Sequence, residues 1–167
     1  MNKRLAIAFT GPSNSGKTTL ILKIAKILID EYSKKVAIIK HDPSDKAKFD
    51  VEGKDSFRFS QTGAEVIVTS PTRTTYFSQE NKDLDEMIRV FGKFDILLVE
   101  GLKNLPLPRI GVFRNSLEDD YFTYMDALAI DESIKTDEYQ IPKNIDILDL
   151  NNPDSIISWI LKNAKEV

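Results

Sequence analysis

The residues Gly11 to Thr18, "GPSNSGKT", satisfy G-x-x-x-x-G-K-[ST] at every fixed position, a spacing whose chemistry is the holding of phosphates. Gly11 and Gly16 let the backbone curl so that successive N–H groups point inward, an anion nest at the positive end of a following helix. Lys17 adds a mobile positive charge for the β- and γ-phosphates, Thr18 a hydroxyl for Mg2+, and Thr19 a hydroxyl within reach of an α-phosphate oxygen. Pro12, Ser13, Asn14 and Ser15 complete the loop, the last three small and polar enough to line it without blocking it.

A loop that holds phosphate also needs groups that position the metal and the attacking oxygen. The apolar run "DILLVE" ends in Glu100-Gly101, placing an acid where a metal-side carboxylate belongs, so Glu100 is a candidate catalytic and metal-side residue together with Thr18 and Lys17. A second apolar run ends in Lys40-His41-Asp42; Asp42 is a candidate for the metal's water or the attacking water, Lys40 for neutralising phosphate charge, and His41 for a nucleotide contact. "NKDLD" at Asn81 to Asp85 invites comparison with Asn-Lys-x-Asp, the guanine-reading motif, but its fourth position is Leu84 and no apolar strand precedes it directly. It reads as a helix start with favourable acids, and base identity stays open.

These groups need a sheet to bring them together. Leu5 to Thr10 reads as a buried strand, and Leu20, Ile21, Ile24, Ala25, Ile27 and Leu28 recur at helical spacing from Lys17 to about Tyr32. Val36 to Ile39 is a second buried strand, giving a βαβ unit and hence a parallel sheet. Asp42 to Lys54 is a long charged loop, Asp55 to Gly63 a short helix, Glu65 to Thr69 and Thr74 to Ser78 strands joined through Pro71, and Asp83 to Phe91 a helix. Phe94 to Val99 is the most apolar strand and belongs inside the sheet. Further strands are expected at Ile110 to Arg114, Ala127 to Ile130 and Ile145 to Leu148, polar loops at Asn115 to Asp120 and Asp131 to Pro142, and a last helix at Asp154 to Lys162 capped by Asn152.

With 167 residues, 41% hydrophobic and 29% charged, the chain suits one globular domain spanning 1–167. A net charge of −3 disfavours binding to nucleic acid through its phosphates. The absence of cysteine excludes disulfides and thiolate sites and fits a reducing cytoplasm, and the one histidine excludes a multi-histidine site within a single chain. The start "MNKRLAIAFTG" has the basic and apolar order of a signal peptide, yet its apolar run lasts only from Leu5 to Phe9 and meets a glycine loop. No stretch approaches the ~20 apolar residues of a membrane span.

The blocks "GPSNSGKTTL", "IIKHD", "DVEGKDSFRFSQTGA", "LLVEGLK" and "IGVFR" fall in one order. Over about Leu5 to Arg114 the chain resembles the molybdopterin-guanine dinucleotide biosynthesis protein B family, MobB, whose members carry similar IKH, GKDS, AGA and LVEG[FY]K blocks. That resemblance implies an α/β P-loop NTPase fold, a mostly parallel sheet flanked by helices, in a homodimer that binds GTP with Mg2+. It implies an accessory role beside the guanylyltransferase that joins GMP to molybdopterin, with GTP hydrolysis at most slow. It also implies nucleotide or partner contacts for the block Gly53-Lys54-Asp55-Ser56, with Lys54 and Asp55 foremost, and for Asp50 ahead of it. Relatives often carry a His-rich run after the IKH block, where this chain has only His41, and no motif is matched after Arg114. Two alternatives remain: a small-molecule kinase, disfavoured because the arginines are scattered singly without a lid-like cluster, and a nickel metallochaperone GTPase, disfavoured by the lack of cysteine.

Overall fold

A computed structural model describes residues 3–167; the first two residues of the signal-like start lie outside the described part. The chain forms two compact units, one comprising the segment up to His41 together with Phe91–Val167, the other comprising Asp42–Val90.

The larger unit is built on a seven-stranded sheet. Its strands are β1 (Leu5–Thr10), β2 (Val36–Lys40), β5 (Ile96–Glu100), β6 (Arg109–Val112), β7 (Ala127–Ile130), β8 (Asp146–Asp149) and the short β9 (Lys165–Glu166). The order is β2-β5-β1-β6-β7-β8, all parallel, with β9 added antiparallel to β1. β1, β5, β6 and β7 are buried on both faces, which is why their sequences show no polar alternation and are apolar except at Thr10, Glu100 and Arg109, each at a strand end. β5 is interior, as its composition predicts, but β1 holds the centre, because β5 inserts between it and β2.

Helices α1 (Lys17–Asp30) and α4 (Pro153–Asn163) share one core with the sheet. Leu20, Ile21, Ile24 and Leu28 of α1 meet Ile156, Ile157 and Ile160 of α4 over Ile7, Phe9, Ile96, Leu98, Ile110 and Val112. Each such side chain, fully buried, stabilises the fold by about 1.5–3 kcal/mol. Asn152 caps α4, its side-chain oxygen accepting the Ser155 N–H at 3.1 Å, with Pro153 in the first turn as expected. A second cluster of Phe113, Leu117, Met125, Leu128, Ile130, Ile134 and Ile145 is closed by Tyr121, Phe122 and Tyr139. A 3-10 turn at Asp119–Tyr124 begins in the expected loop Asn115 to Asp120 and runs past it, and another at Thr136–Glu138 lies within the expected loop Asp131 to Pro142, where nearby aromatic residues have an apolar cluster to cover.

The smaller unit contains helix α2 (Asp55–Ser60), the antiparallel pair β3 (Val66–Thr69) and β4 (Thr74–Phe77), and most of α3 (Leu84–Phe91). Asp42 to Lys54 carries no helix or strand, matching its charged composition. A polar cluster ties this unit's hairpin, where Glu65 accepts hydrogen bonds from Tyr76 Oη at 2.5 Å and from Lys82 Nζ at 2.8 Å.

Candidate functional site

The phosphate loop joins β1 to α1. Gly11 has φ 135°, and a Cβ there would lie 2.3 Å from the carbonyl oxygen of Val112 on the neighbouring strand, so no residue with a side chain fits without moving backbone. Asn14 at φ 64° and Gly16 at φ 96° are left-handed too, the alternation that turns consecutive N–H groups to one side. Gly16 is the N-cap of α1 without a side-chain capping bond, and the first helical bond runs from Leu20 N–H to Gly16 O at 2.9 Å. The N–H groups of Lys17, Thr18 and Thr19 therefore lie ahead of the helix's own ladder, where an anion is favoured. Ser15 is buried and its Oγ makes no hydrogen bond among the described residues, an orphaned hydroxyl of the kind that a phosphate or water satisfies.

Parallel pairing brings the other groups to the same edge. Phe9 and Lys40 are both in register with Glu100, so β1, β2 and β5 end level with one another. Thr18 Oγ1 lies 3.4 and 3.3 Å from the two carboxylate oxygens of Glu100. A hydroxyl and a carboxylate are hard oxygen donors, the set that Mg2+ takes beside substrate phosphates, and the two fit that ion. Lys17 Nζ donates to Pro12 O at 2.6 Å, folding the amine back across the loop that it would serve. Burial pushes the Lys17 amine below the ordinary lysine range; Glu100 opposes that shift and Lys40 adds to it. His41 is tied by its N–H to Glu100 O at 3.0 Å and is exposed, its side chain against Gly101.

Two arginines to which the sequence assigns no role mark the ends of β6, Arg109 as its first residue and Arg114 just past its last. Arg109 is 2% exposed, and its guanidinium donates to the carbonyls of Gly101, Leu102, Lys103 and Leu105 at 2.9, 3.0, 3.2 and 3.2 Å. Burial disfavours its charge, Asp126 favours it, and the group stays cationic. It thus clamps the loop that leaves Glu100, in which Leu102 is left-handed at φ 49°. Arg114 stands two residues beyond β6, its Nε 3.2 Å from Asp131 Oδ2 and its guanidinium beside Gly16. The hydrogen bonds from Ser133 and the neighbouring Arg114 hold the Asp131 carboxyl below the usual range. In the sequence Arg114 ends the expected strand Ile110 to Arg114 and closes the block IGVFR, at the edge where α/β sheets bind ligands, though no role attaches to it there.

The remaining candidates belong to the smaller unit. The carboxylate of Asp42 accepts the backbone N–H groups of Ser44, Lys46 and Ala47 at 3.3, 2.7 and 2.7 Å, so it organises its own turn. Asp50 Oδ1 accepts from Val51 N–H at 2.8 Å and from Ser56 Oγ at 2.9 Å, which pins the start of α2, while its Oδ2 is buried with no hydrogen bond among the described residues. Lys54 is the N-cap of α2 and Asp55 opens its first turn, where Arg58 approaches Asp55 at 3.9 Å; both are exposed. No described helix is long and apolar enough to cross a membrane.

Residues 6–131 match the family model described as molybdopterin guanine dinucleotide synthesis protein B, MobB. A molybdopterin-guanine dinucleotide biosynthesis adapter protein of Haemophilus influenzae is 32% identical over 168 residues, covering 96% of this chain and 90% of the relative. A corresponding adapter protein of Methanocaldococcus jannaschii is 32% identical over 132 residues, 75% of this chain; the match spans about half, 54%, of that relative. The crystal structure of Bacillus subtilis MobB superposes with a TM-score of 0.74 at 24% identity, over 96% of this chain and 98% of that one. The family match itself runs past Arg114 to residue 131, and the likeness in fold extends beyond it.

Proposed function

The chain belongs to the molybdopterin guanine dinucleotide synthesis protein B family, and from that premise we propose that it is a GTP-binding adapter in the assembly of the molybdenum cofactor, presenting a nucleotide-dependent surface to a molybdopterin guanylyltransferase. The observation that carries this reading is the meeting of Thr18 with both oxygens of Glu100 beside an uncapped helix start and an orphaned Ser15 hydroxyl. In that arrangement the N–H groups at Ser13 to Thr19 hold the polyphosphate, Lys17 leaves Pro12 O to meet the terminal phosphates, and Thr18 and Glu100 hold Mg2+. Bound Mg2+ neutralises charge on the phosphates.

Slow hydrolysis, as against rapid turnover, is supported by Asp42, whose carboxylate is engaged with three backbone N–H groups of its own loop. A water-orienting role would have to share the carboxylate with these bonds. Lys54, Asp55 and Asp50 are assigned to the partner or the nucleotide on the family resemblance, supported by the exposure of Lys54 and Asp55 and by the unsatisfied Asp50 oxygen. A homodimer is supported by the exposed Phe49, Val51, Phe59, Ile67 and Val68 of the smaller unit, which light scattering on the purified chain would test. The proposed setting is the cytoplasm.

Titrating GTP and ATP with Mg2+ against thermal unfolding tests the nucleotide reading, because a ligand at a hundred times its Kd stabilises the native state by about 2.7 kcal/mol. GTP is expected to raise the midpoint more than ATP, and Lys17→Ala to abolish the rise. Stoichiometric addition is then expected to stimulate a molybdopterin guanylyltransferase at low GTP. Failure to stimulate, combined with fast phosphate transfer to a nucleoside or pterin, would replace the adapter with a kinase.

A further inference from the structure

Around the mouth of the phosphate loop lies one cation that neither the motif nor the family resemblance assigns. A Cβ built on Gly16 would have as its nearest neighbours the Arg114 Nε at 3.5 Å, Cζ at 3.8 Å and Nη2 at 4.0 Å. Gly16 directly precedes Lys17 and is the left-handed N-cap of α1, so this guanidinium lies over the residue at which the cradle opens. Arg114 is held from one side only, by the 3.2 Å approach of Nε to Asp131 Oδ2. Neither Nη group donates a hydrogen bond among the described residues, and 44% of the side chain is open to solvent. Asp131 is itself fixed, receiving the backbone N–H of Ser133 at 3.1 Å as well as its hydroxyl. A planar guanidinium anchored through Nε with both Nη groups unengaged presents a fork of N–H donors, the geometry that pairs with two phosphate oxygens at once.

We propose that Arg114 is a phosphate-binding residue of the nucleotide site, with Asp131 as the residue that positions it. The ligand chemistry is a nucleoside di- or triphosphate, met at the phosphates by Arg114 from the β6 and β7 side while Glu100 and Thr18 work from the β5 side. Strand order places these two groups on opposite flanks of β1, so the polyphosphate is held between them. The cation is thereby supplied from within the chain. This rests on the reading of Gly11 to Thr19 as a polyphosphate cradle, and the experiment separates the two.

The full chain and its variants Arg114→Ala, Arg114→Lys and Lys17→Ala are titrated with Mg2+ and either GTP or inorganic tripolyphosphate, at two salt concentrations. Arg114→Ala is expected to weaken both ligands by the same factor, roughly tenfold or more, the size of a charge-assisted hydrogen-bond pair. Its salt dependence should be shallower than the parent's, and Arg114→Lys should recover only part of the affinity. Asp131→Ala should give an intermediate loss that Asp131→Asn, which keeps an oxygen for Nε, largely restores. The unliganded thermal midpoint of Arg114→Ala should stay near the parent's, since the side chain is half exposed. Unchanged affinity in Arg114→Ala with lost affinity in Lys17→Ala overturns the Arg114 assignment and leaves the cradle standing. A loss for GTP without one for tripolyphosphate also overturns it, because the contact is then to the nucleoside. Parent-like binding by Lys17→Ala removes the cradle and the Arg114 proposal together.

Discussion

Replacing Arg109 with methionine removes the guanidinium and keeps most of the stem's volume, so the change isolates the four bonds to the carbonyls of Gly101, Leu102, Lys103 and Leu105. A hydrogen bond to a charged group contributes about 1.5–3 kcal/mol net. Four such bonds do not add, because one cation is desolvated to make all of them, and losing one partner of a buried charged network costs about 3–5 kcal/mol. Gly101, Leu102 and Leu105 are only half-buried and Lys103 is exposed, so their carbonyls regain water when the donor goes, which lowers the expected cost to about 2–4 kcal/mol. For a chain of this length each kcal/mol moves the thermal midpoint by about 2–4 °C, giving a fall of roughly 4–16 °C by calorimetry or circular dichroism. Amide exchange should accelerate first at residues 101–105, the loop that leaves Glu100, and the Mg2+-dependent part of nucleotide binding should weaken with it. Arg109→Lys should be nearly as destabilised, since a single ammonium cannot span four carbonyls. A midpoint within 2 °C of the parent, with exchange at 101–105 unaltered, would refute the clamp.

Gly11→Ala forces a Cβ to within 2.3 Å of Val112 O at φ 135°, so the loop has to move; the strain alone is about 1–3 kcal/mol, and GTP stabilisation of the variant should be lost in the same thermal titration. Glu100→Gln keeps the carbonyl oxygen and removes the charge; GTP should still bind, but the gain in affinity on adding Mg2+ should shrink at least severalfold, and a full Mg2+ effect would count against Thr18 and Glu100 as the metal side. Asp131 titrates below the ordinary 3.8 in the fold, so its unfolded form takes up a proton first as pH falls. Its contribution is therefore complete above about pH 5 and lost as pH drops through the lowered folded value, so the parent's advantage over Asp131→Asn in urea should be constant near neutrality and vanish in strong acid.

The apolar runs made much of the larger unit legible, because strands buried on both faces read as short continuous apolar stretches and a helix with one apolar stripe repeats at helical spacing. Leu5 to Thr10, the helix from Lys17, and Ala127 to Ile130 stand where the pattern puts them, with α1 ending at Asp30, two residues short of the expected Tyr32. Glu100 is legible as a site residue for the same reason: an acid ending an apolar strand has to emerge at the ligand edge. Arg109 and Arg114 are not legible, because their roles depend on long-range geometry. Arg109 is eight residues from the Gly101 carbonyl that it binds, and Arg114 meets Gly16 only because β6 is the strand beside β1. A charged residue at the start of a strand looks solvated until the path of the preceding loop is known. The 3-10 turns were illegible for a different reason, since six-residue and three-residue turns are too short to show a period.

The division of labour between the two arginines bears on whether this site holds or turns over its nucleotide. Arg109 spends its whole donor set on backbone, so it can stiffen the loop after Glu100 but cannot follow charge developing on a phosphate. Arg114 retains both Nη groups, yet its Asp131 anchor fixes its approach before any ligand arrives. Catalysis of phosphoryl transfer requires interactions that strengthen in the transition state, and a cation set in place beforehand does so only where it is aimed at the oxygens on which charge develops. On the proposed reading Arg114 and Lys17 serve to hold the polyphosphate, Arg114 from its Asp131 anchor and Lys17 after one short move away from Pro12 O. Such a holding role suits the proposed adapter, whose nucleotide would stabilise a surface for a partner. It leads to a kinetic expectation: single-turnover hydrolysis in Arg114→Ala, measured at saturating GTP, should proceed within about threefold of the parent even as Kd rises, since removing uniform binding changes affinity and spares the chemical step. A fall in the single-turnover rate as large as the loss of affinity would instead assign Arg114 to the transition state.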